Sequence, residues 1–211
     1  KDYSDHLVFE ILNEPHGNLT SELWNLYLVD ALAEIRKTNA ERVVLIGTAE
    51  YGGLTGLSSL IIPDDDNIIL TIHYYNPFPF THQGAEWVDN SDVWLGTKWY
   101  DTQSERDIVA QEFEELMQIE SDKNIPVNIG EFGSYSRADR DSRLRWTTFL
   151  GRYFEQQNWS WAYWEFSAGF GIYDPDTKVF DEELSDALLV NEMPEPTEFS
   201  VEKIYTSDFT S

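Results

Sequence analysis

Short apolar runs alternate along the chain with longer stretches in which apolar residues recur at helical spacing, and each run stops at polar residues or glycine. Leu7-Val8-Phe9-Glu10-Ile11-Leu12 has the length and composition of a strand covered on both faces, as in a parallel sheet. Thr20 and Ser21 offer helix caps, and Leu23, Tyr27, Ala31 and Ile35 then recur at helical spacing up to about Lys37-Thr38-Asn39. Val43–Gly47 and Asn67–His73 read as two further buried strands, with Gly52, Gly53 and Gly56 marking a loop between them. Tyr74 to Tyr100 reads as one long loop, containing Pro77, Pro79, Gly84 and Gly96, and loops of that length commonly carry function. Glu105–Lys123 suits one amphipathic helix with Ile108, Phe113, Leu116 and Ile119 on its apolar side. Pro126–Glu131 follows as a strand, then a helix from an Asp139 cap to Gln156 with Leu144, Thr147, Leu150 and Phe154 near helical spacing. Trp159–Phe166 reads as a fifth strand and Glu182–Leu189 as a closing helix. This alternation of strand and helix implies a parallel α/β sheet.

Composition narrows the partners. Of 211 residues, 41% are hydrophobic and 15% aromatic, enough apolar surface for one sizeable core. Thirty-nine acidic against 14 basic residues give a net charge of −25, a field that repels nucleic acid and anionic membranes and leaves neutral or cationic partners. There is no cysteine, hence no thiolate nucleophile, disulfide or cysteine metal site. No apolar run reaches the roughly 18 residues of a membrane span. From Val190 onward Pro194, Pro196, five acids and one lysine mark residues 190–211 as an acidic tail or linker, with 1–189 as the folded body. A further domain beyond that tail is an open possibility.

Polar residues recur where the apolar strands end: Asn13-Glu14, His73-Tyr74-Tyr75, Glu131 and Trp164-Glu165. In a parallel β/α barrel those ends converge on one face, where several strands each supply catalytic residues. Two carboxylates beside aromatics suit glycosidic bond cleavage, which needs one acid to protonate the leaving oxygen and a second carboxylate across the anomeric carbon. Glu14 and Glu131 are the candidates, and Trp164, Trp87, Tyr75 and Trp94 are aromatics that could stack on sugar rings. Core packing accounts for others, Trp159 and Trp161 in particular. His6 and His16 stand ten apart and His73 and His82 nine apart, so no helix-spaced metal-ligand pair exists. Gly-x-Gly-x-x-Gly, a phosphate-binding Gly/Lys loop and Gly-x-Ser-x-Gly are all absent. Neither metal nor cofactor is expected.

The strand-end motifs are Phe9-Glu10-Ile11-Leu12-Asn13-Glu14-Pro15-His16, Ile72-His73-Tyr74-Tyr75-Asn76-Pro77-Phe78, Ile129-Gly130-Glu131-Phe132-Gly133 and Trp161-Ala162-Tyr163-Trp164-Glu165-Phe166. In this order they resemble family 5 glycoside hydrolases, particularly bacterial endo-β-1,4-glucanases, from about residue 6 to residue 189. The resemblance implies a TIM (β/α)8-barrel type α/β fold, of which about strands 4–8 and their helices are present. It further implies that Glu14 is the acid/base, Glu131 the nucleophile of a retaining mechanism, and Asn13 a partner of the sugar 2-hydroxyl. His73 and Tyr75 would orient the carboxylates, Trp164 would lie under the sugar at the cleavage point, and His82 and Trp87 would line the groove. The family's strand-two arginine and strand-three histidine have no counterpart here. The implied substrate is a neutral β-linked polysaccharide, with a β-mannanase or dual glucanase/mannanase as alternative. A non-catalytic carbohydrate-binding protein or inactive fragment is a further alternative. A polymeric substrate implies secretion, and unclosed barrel edges imply a tendency to self-associate.

Overall fold

The computed structural model describes residues 3–4 and 6–199. Its centre is a five-stranded, all-parallel sheet in simple sequential order: β1 (Phe9–Glu10), β2 (Val44–Ile46), β3 (Ile68–Tyr74), β4 (Val127–Phe132) and β5 (Ser160–Tyr163). Each strand is followed by helical chain that packs back on the same face, the arrangement of a β/α barrel. The sheet is a curled partial TIM barrel, and among the described residues β1 and β5 each leave one edge unpaired.

The helices are α1 (Ser21–Arg36), the short α2 (Phe78–Thr81), α3 (Gln103–Glu112), α4 (Glu114–Lys123), α5 (Arg140–Gln156) and α6 (Glu182–Leu189). Side-chain oxygens start four of them: Thr20 accepts from Leu23 N–H, Thr102 from Glu105, Asp139 from Ser142 and Asp181 from Leu184. Strand residues facing the helices, Ile68, Leu70, Ile72, Val127 and Ile129 among them, are all less than 5% exposed and form the core with Trp24, Leu28, Phe113, Trp146 and Phe154. On the opposite face Glu10, Ser160 and Ala162 are exposed.

Several expectations are corrected. The buried face of α1 is Trp24, Leu28 and Leu32, one position on from the expected series, while Leu23 and Tyr27 are exposed. The Trp24 indole fixes this phase by donating to Gly47 O at the end of β2 (2.9 Å). The helix expected over Glu105–Lys123 is two helices broken at Phe113. That ring is fully buried, 4.7 Å from Tyr74 and 5.3 Å from Trp159 between centroids, and Val109 rather than exposed Ile108 joins it in the core. β1 is only two residues long, and β5 stops at Tyr163. A hairpin not foreseen follows: β6 (Tyr173–Asp174) and β7 (Val179–Phe180), antiparallel. Residues 191–199 run over the outside of α3 and α5, where Arg152 donates to Asn191 O, Arg106 to Pro194 O, and Thr197 N–H to Asp101 O. Residues 200–211 lie outside the described residues.

Candidate active site

Parallel pairing puts the carboxyl ends of all five strands at one rim. Between β3 and β4 the register shifts after Ile72, so that His73 stands opposite Glu131 rather than one residue below it. Glu14 reaches the same place from the turn after β1, with φ of +46°, a left-handed conformation that costs a non-glycine residue about 1–3 kcal/mol. The loop after β2 supports that turn: Tyr51 N–H donates to Pro15 O (3.2 Å), and Gly52 O accepts from His73 N–H (2.9 Å).

The buried His73 ring lies between the two carboxylates. Its Nδ1 donates to Glu14 Oε1 at 2.9 Å and lies 3.4 Å from Glu131 Oε2. Tyr75 Oη donates to Glu131 Oε2 at 2.8 Å. One oxygen of Glu14, one of Glu131 and a His73 nitrogen all fall within 4.8 Å of one another. This spacing would admit a cation, but the hydrogen bonds already account for the arrangement and no metal role is assigned to the three. Burial pushes the Glu131 carboxyl above the ordinary carboxylate range; His73 and the Tyr75 hydroxyl pull the other way, and Glu14 and Glu10 add to the push. Burial, then the Glu131 charge, holds the Tyr75 hydroxyl protonated far above its usual range.

A groove runs past this pair in two compartments. One, of about 410 Å³, is lined by Asn13, Glu14, Glu131, Trp164, Glu165 and Phe170 among others. The other, of about 660 Å³, is lined by Glu50, Tyr51, His73, Phe78 and Asp89 among others, and Glu14, Tyr75, His82 and Trp87 border both. Trp164 and Trp87 remain 46% and 60% exposed, as a stacking surface must be. Trp94 instead packs edge-on against Phe78 (5.9 Å) and lines neither compartment.

His82 is buried, stacked on Phe78 at 4.1 Å. Thr81 Oγ1 donates its single hydrogen to Tyr75 O (2.6 Å), so toward His82 Nδ1 (2.9 Å) it accepts. His82 therefore carries its proton on Nδ1 and leaves Nε2 as an acceptor. Burial pulls its pKa down to about 4, against a weak opposing effect of Glu14.

Two close approaches fix the wall beyond Trp164. A Cβ on Gly133 would sit 2.1 Å from Trp164 O, and one on Gly169 2.2 Å from the Tyr135 ring. The groove also contains Glu165, which the sequence places at a strand end without a role, and Tyr51, which the sequence does not single out. Glu165 accepts from the N–H groups of Ser167, Ala168 and Phe170, and Tyr51 stacks on His16 at 4.3 Å. Adjacency to Trp164 was the available signal for Glu165; nothing in the sequence singled out Tyr51.

The family model described as Cellulase (glycosyl hydrolase family 5) matches residues 2–169. The chain belongs to glycosyl hydrolase family 5. It is 36% identical over 195 residues to Endoglucanase H of Acetivibrio thermocellus, covering 89% of this chain and 20% of that protein. It is 31% identical to Endoglucanase A of Ruminococcus albus, covering 90% of this chain and 57% of that one. Among solved structures, endoglucanase Cel5A from the hyperthermophilic Thermotoga maritima superposes with a TM-score of 0.87 at 49% identity, over 90% of this chain and 61% of that chain. The chain thus spans about three fifths or less of the length of these relatives.

Proposed function

We propose that this family 5 chain carries the catalytic pair of a retaining endo-β-1,4-glucanase that works outside the cell on a neutral glucan. The observation that carries the reading is the closeness of Glu14 and Glu131, with carboxylate oxygens within 4.8 Å on either side of His73. Retaining enzymes hold their two carboxyl groups about 5–5.5 Å apart, whereas inverting ones keep about 6.5–9.5 Å to seat a water. In the first step a Glu131 oxygen bonds to the anomeric carbon while the glycosidic C–O bond breaks and Glu14 gives its proton to the leaving oxygen. In the second, Glu14 takes a proton from water, the water oxygen bonds to the anomeric carbon, and Glu131 leaves as carboxylate. The Tyr75 hydroxyl stabilises the ionised form that must attack, and His73 ties the pair together. Asn13 stands beside Glu14 for the sugar 2-hydroxyl, Trp164 offers a ring face, and His82 and Trp87 receive the neighbouring residues of the polymer. The names of the relatives support glucan as substrate.

The test is mechanism-based labelling with a 2-deoxy-2-fluoro cellobioside of the protein that carries this chain, followed by peptide mapping. Label on Glu131, abolished by Glu131→Gln, is expected. Label on Glu10 or Glu165 would overturn the assignment.

A further inference from the structure

Behind Tyr75, on the helix side of the sheet, Glu112 at the end of α3 accepts two hydrogen bonds. Tyr74 Oη donates to Oε2 at 2.5 Å and Asn76 Nδ2 donates to Oε1 at 2.9 Å. Glu112 forms no ion pair among the described residues. It is a half-buried carboxylate committed to two neutral donors, a pairing that hydrophobic packing alone does not call for. The donors are the two neighbours of Tyr75 in the chain. In extended backbone successive side chains point to opposite faces, so pinning Tyr74 and Asn76 from the helix side sets how far Tyr75 projects on the other. Tyr75 projects onto Glu131, 2.8 Å away. The backbone of this stretch is held as well, by Thr81 Oγ1 to Tyr75 O (2.6 Å) and Trp146 Nε1 to Asn76 O (3.1 Å).

We propose that Glu112 is a positioning residue for Glu131, acting through Tyr74 and Asn76 to hold the Tyr75 hydroxyl against the carboxylate. The proposal rests on the reading of Glu131 as the nucleophile. The groups facing Glu131 are His73 and Tyr75 from β3 and its exit, with Glu10 and Glu14 from β1 and its exit. Two effects of replacing Glu112 therefore have opposite signs. Loss of its negative charge favours ionised Glu131 and lowers the midpoint of its titration. Loss of its grip on Tyr75 removes a donor and raises that midpoint.

The experiment titrates the chain labelled with carbon-13 at the glutamate carboxyl, the Glu131 signal being identified by its absence in Glu131→Gln. No turnover is needed. Tyr75→Phe is expected to raise the Glu131 midpoint by about one pH unit, the worth of one hydrogen bond to a charged group. Glu112→Leu, of similar volume but without acceptors, raises it in the same direction, and Tyr75→Phe with Glu112→Leu raises it no further than Tyr75→Phe alone. Glu112→Gln stays at or just below the parent value: its amide accepts from Tyr74 and donates to Asn76 once the Asn76 amide turns over. If Glu112→Leu lacks the near-ultraviolet circular dichroism of the folded chain, Tyr74→Phe, which withdraws one of the two donors, is read in its place. A Glu112→Leu midpoint at or below the parent's overturns the relay, as do additive shifts in the double variant or no shift in Tyr75→Phe. Failure of the glycosidase reading shows separately, as label on another carboxylate.

Discussion

His82 makes folding stability depend on pH in a way that can be worked out beforehand. Its imidazole titrates near 6.5 when exposed and near 4 in its buried place beside Phe78 and Tyr75. The unfolded chain thus takes up this proton before the folded chain does. The contribution is fully present above pH 6.5 and is lost as pH falls toward 4, by which point the loss is about 3 kcal/mol. At pH 5 the unfolded imidazole is almost wholly charged and the folded one about one tenth charged, so about 2 kcal/mol has gone relative to pH 8. For a chain of this length that corresponds to roughly 4–8 °C in Tm. His82→Gln keeps a donor toward Thr81 but takes no proton. The assay is calorimetric unfolding of parent and variant at pH 8 and pH 5; subtracting one protein's pH effect from the other's removes the titrations they share. The parent is expected to lose about 2 kcal/mol more than the variant on acidification. Equal losses would mean that His82 charges as readily folded as unfolded, and would refute the burial argument.

Glu131→Gln should abolish labelling yet stabilise the chain at pH 7. Its folded carboxyl titrates above the ordinary range, so the stability it lends is present only below that range and is lost as pH rises; the gain in denaturant midpoint should fade on acidification. Trp159→Ala should cost about 3–5 kcal/mol in a urea melt, since that ring is 3% exposed and its N–H donates to Glu120. Trp164→Ala, nearly half exposed, should instead leave stability within about 0.5 kcal/mol while impairing turnover of carboxymethylcellulose per folded molecule; equal activity would remove it from the groove. With two sheet edges unpaired among the described residues and a net charge of −25, the 211-residue chain should run as a monomer in size-exclusion chromatography at low salt and associate at high salt, and an unchanged elution volume would count against the edges as contact sites.

What the sequence disclosed followed from period and punctuation. α1 and α5 begin at the caps the sequence shows, Thr20 and Asp139, because side-chain oxygens before apolar spacing are readable without coordinates; the Thr102 and Asp181 caps of α3 and α6 were not picked out. The phase of α1 was not readable. Leu23, Trp24, Leu26, Tyr27, Leu28 and Val29 circle the helix, so several faces satisfy the spacing and tertiary bonds choose between them, Trp24 to Gly47 and Asn25 to Ser59 and Ile61. The break at Phe113 lacked a glycine or proline to announce it; a ring that must reach Tyr74 and Trp159 at once makes it. Asn13, Glu14, His73, Tyr75, Glu131 and Trp164 were visible because parallel strands gather their ends, a consequence of topology. Tyr51 was not, because it enters the groove on a run of left-handed residues, Glu50 to Gly52, whose conformation depends on contacts with Pro15 and His73.

The contacts at Gly133 and Gly169 bear on how this groove can diversify. With backbone and ring already nearer than a methyl group allows, neither position has a one-step neighbour in sequence space that keeps the wall where it is. A library randomised at these two sites should return glycine almost exclusively. Variation in the groove is therefore steered to the compartment lined by Tyr51, which stands largely in solvent and away from both glycines. In this architecture one side of the groove is heritable scaffold and the other is where selection can experiment.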